Sequence, residues 1–170
     1  MNYQVVDNFL EQSDIENIIK NTIKNENFSL YLKGGTSYTE NEILYFNNDG
    51  IYFTHNFFKD DKISSDAFFL LNPLLEKIKP NKLLRIQLNL YPKTFFIKRH
   101  GWHTDFNFPH KGCILYLNNN NGKTILKNGL FDKKIKSIKN RVLFFDPSLK
   151  HRSTSSSNTK YRSNIIINYL

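Results

Sequence analysis

A mainly β fold with flanking α-helices is the class this sequence predicts, and three observations predict it. Apolar residues at helical spacing fall before residue 82. From residue 83 onward short runs alternate apolar and polar residues, the period of a half-buried strand. Turn-forming clusters separate those runs: Asn118-Asn119-Asn120-Asn121-Gly122, Asn128-Gly129 and Pro147-Ser148. Helices followed by a run of short strands give a sheet-rich core with the helices on one side.

The first helix is expected from Ser13, which forms a capping box with Glu16, and Ile15, Ile18, Ile19 and Ile23 follow at helical spacing. A second helix is expected over 65–79, with Asn72-Pro73 starting a fresh segment inside it and Pro80 ending it. Between them, 44–58 is rich in Tyr, Phe and Ile and is broken by Asn47-Asn48-Asp49-Gly50, the pattern of a hairpin or two short strands. The later strands are expected at 84–91, 95–105, 112–117, 123–127, 133–138, 141–146, 150–154 and 162–169. The polar run 153–160 reads as a surface loop.

At 170 residues the chain is expected to be one domain, able to bury roughly 70% of its unfolded surface. No apolar run approaches the roughly 20 residues of a membrane span, so no membrane partner is expected. The start, Met1-Asn2-Tyr3-Gln4, lacks the pattern of a secretory signal. Cys113 is the single cysteine, which rules out an intrachain disulfide and a cysteine-rich zinc site and points to a cytoplasmic setting. The net charge of +9 and pI near 9.5 fit a nucleic-acid or acidic partner, or simply a solvated lysine surface, since Lys and Arg never form a dense block.

Two strands carry an unusual pattern. In 85–91 one face presents Arg85, Gln87, Asn89 and Tyr91, the other Ile86, Leu88 and Leu90. In 162–170 one face presents Ile165, Ile167 and Tyr169, the other Arg162, Asn164 and Asn168. Such a polar face either meets bulk water or lines a wet cavity inside a barrel.

Chemistry concentrates in His103-Thr104-Asp105, with His151 downstream and Arg162 beyond it. Two histidines and one carboxylate are the donor set of a non-haem iron(II) site with open positions. On a strand, residues two apart point to the same side, so one ion can take both His103 and Asp105, with His151 supplied from another strand. Alone the pair is weak, and three-ligand zinc stays open. Arg162 discriminates, because a planar guanidinium fork matches a carboxylate and suits an acidic co-substrate. His55, His100 and His110 have no such partners and read as surface or loop residues.

The order of these motifs resembles the iron(II)- and 2-oxoglutarate-dependent dioxygenases, in particular the prolyl-hydroxylase-like branch. The resemblance covers roughly 84–170. It rests on Asn89-Leu90-Tyr91-Pro92, Gly101-Trp102-His103-Thr104-Asp105, Cys113-Ile114-Leu115-Tyr116-Leu117-Asn118, Asn140-Arg141-Val142-Leu143-Phe144-Phe145-Asp146, Lys150-His151 and Tyr161-Arg162. The opening Val5-Val6-Asp7-Asn8-Phe9-Leu10 also looks like the family's. The resemblance implies a double-stranded β-helix (jelly-roll, cupin-like), with 1–82 as a helical support region and 83–170 as the catalytic core. It implies Fe(II) held by His103, Asp105 and His151, and 2-oxoglutarate held by Arg162, with Tyr116, Tyr91 and Asn89 beside it. Dioxygen is the implied oxidant and ascorbate an accessory reductant. The implied reaction is hydroxylation of a C–H bond, with a prolyl or other protein side chain as the substrate favoured by analogy. Two departures stand out: a long gap from His151 to Arg162, and Asn164 where relatives often have a hydroxyl. A nucleic-acid-demethylating enzyme is the first alternative, although Asn168 stands where those relatives have a second arginine. A non-enzymatic basic nucleic-acid-binding module is another. The oligomeric state is not legible.

Overall fold

The computed structural model describes residues 2–34 and 51–170. Eleven strands and two α-helices follow in chain order among those residues: β1 (Gln4–Val6), α1 (Gln12–Asn21), β2 (Tyr31–Gly34), β3 (Ile51–Lys59), β4 (Lys62–Ile63), a 3-10 helix (Asp66–Leu71), α2 (Asn72–Ile78), β5 (Leu83–Pro92), β6 (Lys111–Tyr116), β7 (Lys123–Leu126), β8 (Lys133–Lys136), β9 (Val142–Phe145), β10 (His151–Ser153) and β11 (Tyr161–Tyr169). The larger sheet runs β1-β9-β6-β11-β5-β3-β2, with β4 on β3, and the smaller runs β10-β7-β8. All pairings are antiparallel.

Alternation on the central strands sorts the two faces as the sequence predicts. Ile86, Leu88, Ile165 and Ile167 pack with Ile15, Ile18 and Ile19 of α1 and with Leu71 and Leu74. Each such fully buried aliphatic side chain contributes about 1.5–3 kcal/mol, so this layer holds the helices against the sheet. On the opposite face, Ile114, Tyr116, Leu143, Phe145 and Ile166 meet Leu126 and Ile135 of the smaller sheet. That second cluster joins the two sheets. No helix among the described residues is long and apolar enough to cross a membrane.

Several expectations need correction. The helix α1 starts at Gln12 with Glu11 as its N-cap and no side-chain cap bond, so Ser13 lies within the first turn. Glu16 instead bonds Lys139 at 2.7 Å and Gln12 at 2.9 Å, which removes it from any capping box. The second helical stretch does begin at Ser65, whose hydroxyl accepts from the Ala67 amide, and it restarts as α2 with Pro73 in the first turn. It closes on Lys79 in the left-handed region. Of the expected hairpin over 44–58, residues 51–58 form most of β3 and 44–50 lie outside the described residues.

The segment 95–105 is not a continuous strand. Its backbone pairing is limited to isolated bridges, Arg99 with Thr154 and His103 with His151. Hydroxyl groups take up the backbone polar groups that a ladder would use: Thr94 donates to the Phe96 carbonyl, and the Lys98 amide donates to Ser155 Oγ. The run 153–160 is only partly a surface loop. Ser153 ends β10, and Thr154, Ser155 and Ser156 are buried against the 94–100 segment. His55, His100 and His110 are buried as well, each with a ring nitrogen on a protein oxygen: Ser29 O, Ser153 Oγ and Phe108 O. Polar partners made these rings buriable.

Candidate metal centre

Strands β5 and β11 are adjacent and in register, pairing Tyr91 with Arg162, Asn89 with Asn164, Gln87 with Ile166 and Arg85 with Asn168. All of these side chains except Asn168 line one cavity of about 370 Å3 together with His103, Asp105, His151 and Thr124. The polar faces of both strands thus line the space between the sheets.

His103 and His151 are tied by two reciprocal backbone bonds, each 2.9 Å. Their ring centroids stand 4.4 Å apart. The Asp105 amide donates to the Pro147 carbonyl at 2.9 Å, which brings the carboxylate over the same spot. Donor atoms of His103, Asp105 and His151 all lie within 4.8 Å of one another. Asp105 Oδ1 is 4.0 Å from His103 Nε2 and 3.8 Å from His151 Nε2. A carbonyl can only accept, so the contacts of Nδ1 with Gly101 O (3.3 Å) and Leu149 O (3.0 Å) put the proton of each neutral ring on Nδ1. Both Nε2 lone pairs then face the aspartate, as a metal ligand requires. The second carboxylate oxygen accepts from Asn168 Nδ2 at 2.8 Å.

Electrostatics favour the metal-ligating protonation states. Burial and the neighbouring His103 push the His151 imidazole down to about 4, so it is neutral near pH 7. Burial raises the Asp105 carboxyl, but Arg85, His151, the Asn168 hydrogen bond and His103 outweigh it and hold the group below the usual carboxylate range.

Arg162 is wholly buried. Its Nε donates to Ser137 Oγ at 2.8 Å and its Nη2 to Thr124 Oγ1 at 3.1 Å. Its Nη1 is buried and has no partner among the described residues. A charged donor left unmatched in a cavity wall is costly unless something occupies the cavity. Tyr91 flanks the guanidinium, with its ring 5.3 Å away, and is itself stacked between Tyr52 and His100. Tyr116 lies beneath the guanidinium at 5.8 Å, outside the cavity lining, and its hydroxyl donates to Thr124 Oγ1 at 2.7 Å. Burial raises both phenols, so both stay protonated donors. Asn89 is nearly buried, accepts from Gln87 at 2.5 Å and donates weakly to Asn164 at 3.5 Å.

Sequence reasoning placed Arg85 on a polar face without a function. The structure puts its Nη2 3.0 Å from Asp105 Oδ1. Thr124 and Ser137, which hold Arg162, went unnoticed; their hydroxyls sit in β7 and just after β8 with no local signature. The pairing of Arg85 with Asn168 was readable only once β5 and β11 were known to be neighbours.

No protein-family model matches the chain, and no curated protein matches it. Solved structures do. An α-ketoglutarate-dependent epimerase from nogalamycin biosynthesis, SnoN, superposes with a TM-score of 0.69 at 12% identity, covering 99% of this chain and 77% of that one. An oxidoreductase of the 2OG-Fe(II) oxygenase family from Burkholderia pseudomallei gives 0.67 at 10% identity, covering 94% and 78%. A prolyl hydroxylase from Trichoplax adhaerens, in complex with a hypoxia-inducible-factor peptide fragment, gives 0.64 at 16% identity, covering 98% and 83%. Likeness at such identities speaks to architecture: this chain has the double-stranded β-helix fold of the 2OG-Fe(II) oxygenases, prolyl hydroxylases among them.

Proposed function

We propose that the protein is an iron(II)- and 2-oxoglutarate-dependent dioxygenase that hydroxylates a C–H bond of a peptide or protein side chain. The observation that carries this reading is that Arg162, whose Nη1 is a buried cationic donor with no partner among the described residues, lines the same cavity as the His103, Asp105 and His151 cluster. A bare zinc site has no use for such a donor, whereas a dicarboxylate does. The same donor set and orphaned guanidinium fit Fe(II) and 2-oxoglutarate together.

His103 Nε2, His151 Nε2 and one oxygen of Asp105 would hold the cation. Arg162 would take the far carboxylate of the ketoacid, with the Thr124 hydroxyl fixing the guanidinium from the side. Tyr91 and Asn89 would border the chain of the ketoacid, and Tyr116 would brace Arg162 from below. When bound, ferrous iron with 2-oxoglutarate and dioxygen supplies an oxidant for a substrate C–H bond, releasing succinate and carbon dioxide, with ascorbate as an accessory reductant. The protein would orient the reactants, because strands of both sheets and the His103–Asp105 stretch contribute side chains to one cavity. A peptide substrate is favoured by the bound peptide fragment in the Trichoplax neighbour. A cytosolic setting accompanies this reading, since Cys113 is a buried free thiol.

The test is succinate release from 2-oxoglutarate with Fe(II) under air, in the presence of a peptide library. Turnover that needs both Fe(II) and 2-oxoglutarate and disappears in folded His103→Ala and Arg162→Met is the expected result. Absence of 2-oxoglutarate binding to the Fe(II)-loaded wild type would overturn the proposal.

A further inference from the structure

Arg85 has no part in the chemistry above, yet it is bonded to the centre of it. Its Nη2 lies 3.0 Å from Asp105 Oδ1, the oxygen that faces both imidazoles. Its Nε donates to Asn168 Oδ1 at 3.1 Å, and the same amide donates to Asp105 Oδ2 at 2.8 Å. The Phe106 ring packs 5.5 Å from the guanidinium carbon. Arg85 and Asn168 are cross-strand partners on the two central strands, so the contact is set by the sheet register and not by a loop.

The consequence is one of charge. The cluster offers a cation two neutral imidazoles and one carboxylate, and that carboxylate is already matched by a guanidinium. Among the described residues that line the cavity, Asp105 is the one acid, against Arg85, Arg162, Arg152 and Lys33. A dication entering alone therefore meets no net negative charge, whereas a dianion meets an excess of cations. Desolvated charges at these separations interact strongly, so a fixed guanidinium beside the cluster opposes one and favours the other.

We propose that Arg85 sets the charge of the centre: by offsetting Asp105 it weakens binding of a bare divalent cation and strengthens binding of the anionic ketoacid. The cation is then held well only when the co-substrate accompanies it. This inference rests on the reading of the site as one for a metal and a ketoacid. A purely positioning role for Arg85 has the opposite sign for the metal, because loosening the Asp105 carboxylate would weaken every ligand the centre binds. Asn168 still anchors Oδ2 when Arg85 is replaced, which leaves the electrostatic effect exposed.

The experiment measures Mn2+ binding without ketoacid, from the paramagnetic signal of the free ion, and then 2-oxoglutarate binding to the Mn2+-loaded forms by calorimetry. Arg85→Met is expected to bind Mn2+ about tenfold tighter, or more, and 2-oxoglutarate about tenfold weaker than wild type. Arg85→Lys keeps the charge and is expected to stay close to wild type in both. Arg85→Gln, which retains a neutral donor, gives the same opposed shifts and serves if Arg85→Met does not fold. Mn2+ binding that is unchanged or weaker in folded Arg85→Met and Arg85→Gln overturns the inference while leaving the metal site standing. Wild type that binds no Mn2+ with or without 2-oxoglutarate overturns the reading of the site and the inference with it.

Discussion

Replacing Arg162 by Met separates the ketoacid site from the fold. The guanidinium has five N–H donors. Two are used internally, on Ser137 Oγ and Thr124 Oγ1, and Nη1 has no protein partner. A carboxylate received by the remaining donors makes two charge-assisted hydrogen bonds, each contributing about 1.5–3 kcal/mol. Taking the lower value for each, to allow for displaced water, gives about 3 kcal/mol, or roughly two orders of magnitude in affinity. The fold should tolerate the change, because an apolar side chain of similar volume replaces a buried charge that no carboxylate among the described residues neutralises. Arg162→Met is therefore expected to raise the KM for 2-oxoglutarate about a hundredfold with a melting temperature at or above that of wild type. Steady-state succinate assays and thermal unfolding of the same preparation measure both. A folded variant with an unchanged KM would refute the assignment of Arg162 as the anchor.

Three further outcomes follow from the geometry. The His151 imidazole falls to about 4 in the folded chain from an ordinary value of 6.5, so its contribution to stability is complete above pH 6.5 and is lost as pH falls toward 4. Metal-free protein should lose on the order of 3 kcal/mol across that window in urea titrations, and His151→Gln should flatten the loss. Asn140 sits at φ 62° and bonds both backbone groups of Leu10, accepting at 2.9 Å and donating at 2.8 Å. Asn140→Ala should cost about 2–4 kcal/mol by chemical denaturation, from two lost hydrogen bonds and a strained backbone. A Cβ on Gly122 would come within 2.5 Å of Arg162 Cδ and 2.9 Å of the Ser155 carbonyl. Gly122→Ala should therefore cost about 1–3 kcal/mol and weaken 2-oxoglutarate binding, read by denaturation and by calorimetry.

Periodicity carried most of the architecture. The helical spacing of Ile15, Ile18 and Ile19 and the period-two pattern of 85–91 and 162–169 report one-sided burial, which is what packing against a sheet imposes. The same alternation put Arg85, Gln87 and Asn89 on one face of their strand and Arg162 on the polar face of the last, but left open whether those faces met water or a cavity. Where it failed, side chains had competed with the ladder: hydroxyls around 94–98 dissolved an expected strand, and Ser155 and Ser156 went inside because backbone partners met their polar groups. His100 and His110 do lie in loops and His55 lies on β3, but all three are buried where a surface was expected, for a related reason. A lone histidine in sequence carries no sign of the carbonyl or hydroxyl that will satisfy it. The surroundings of Arg162 were invisible because Thr124 lies on β7 and Ser137 just beyond β8, and only the pairing of those strands brings their hydroxyls to one guanidinium.

The two halves of the candidate site are held in different ways, and the difference bears on how it would load. Arg162 lies on β11, in the middle of the larger sheet, paired to β5. Its position is as rigid as the core. His103 and Asp105 lie on a segment with only isolated pairing, fastened by the reciprocal bonds to His151 and by the single bond from Asp105 to Pro147. Local opening costs less where fewer backbone bonds must break. In the proposed site the part that would hold the cation is thus the one that can yield, while the part that would hold the ketoacid is fixed in the larger sheet. Asp105 is nonetheless held from the rigid side, through Arg85 and Asn168. That link lets the loop carry two ligands without leaving the carboxylate free, since the central strands fix its direction while the bridge to β10 fixes the imidazoles. The three donor atoms already lie within 4.8 Å of one another, so the ordering that a cation would require is partly made in advance.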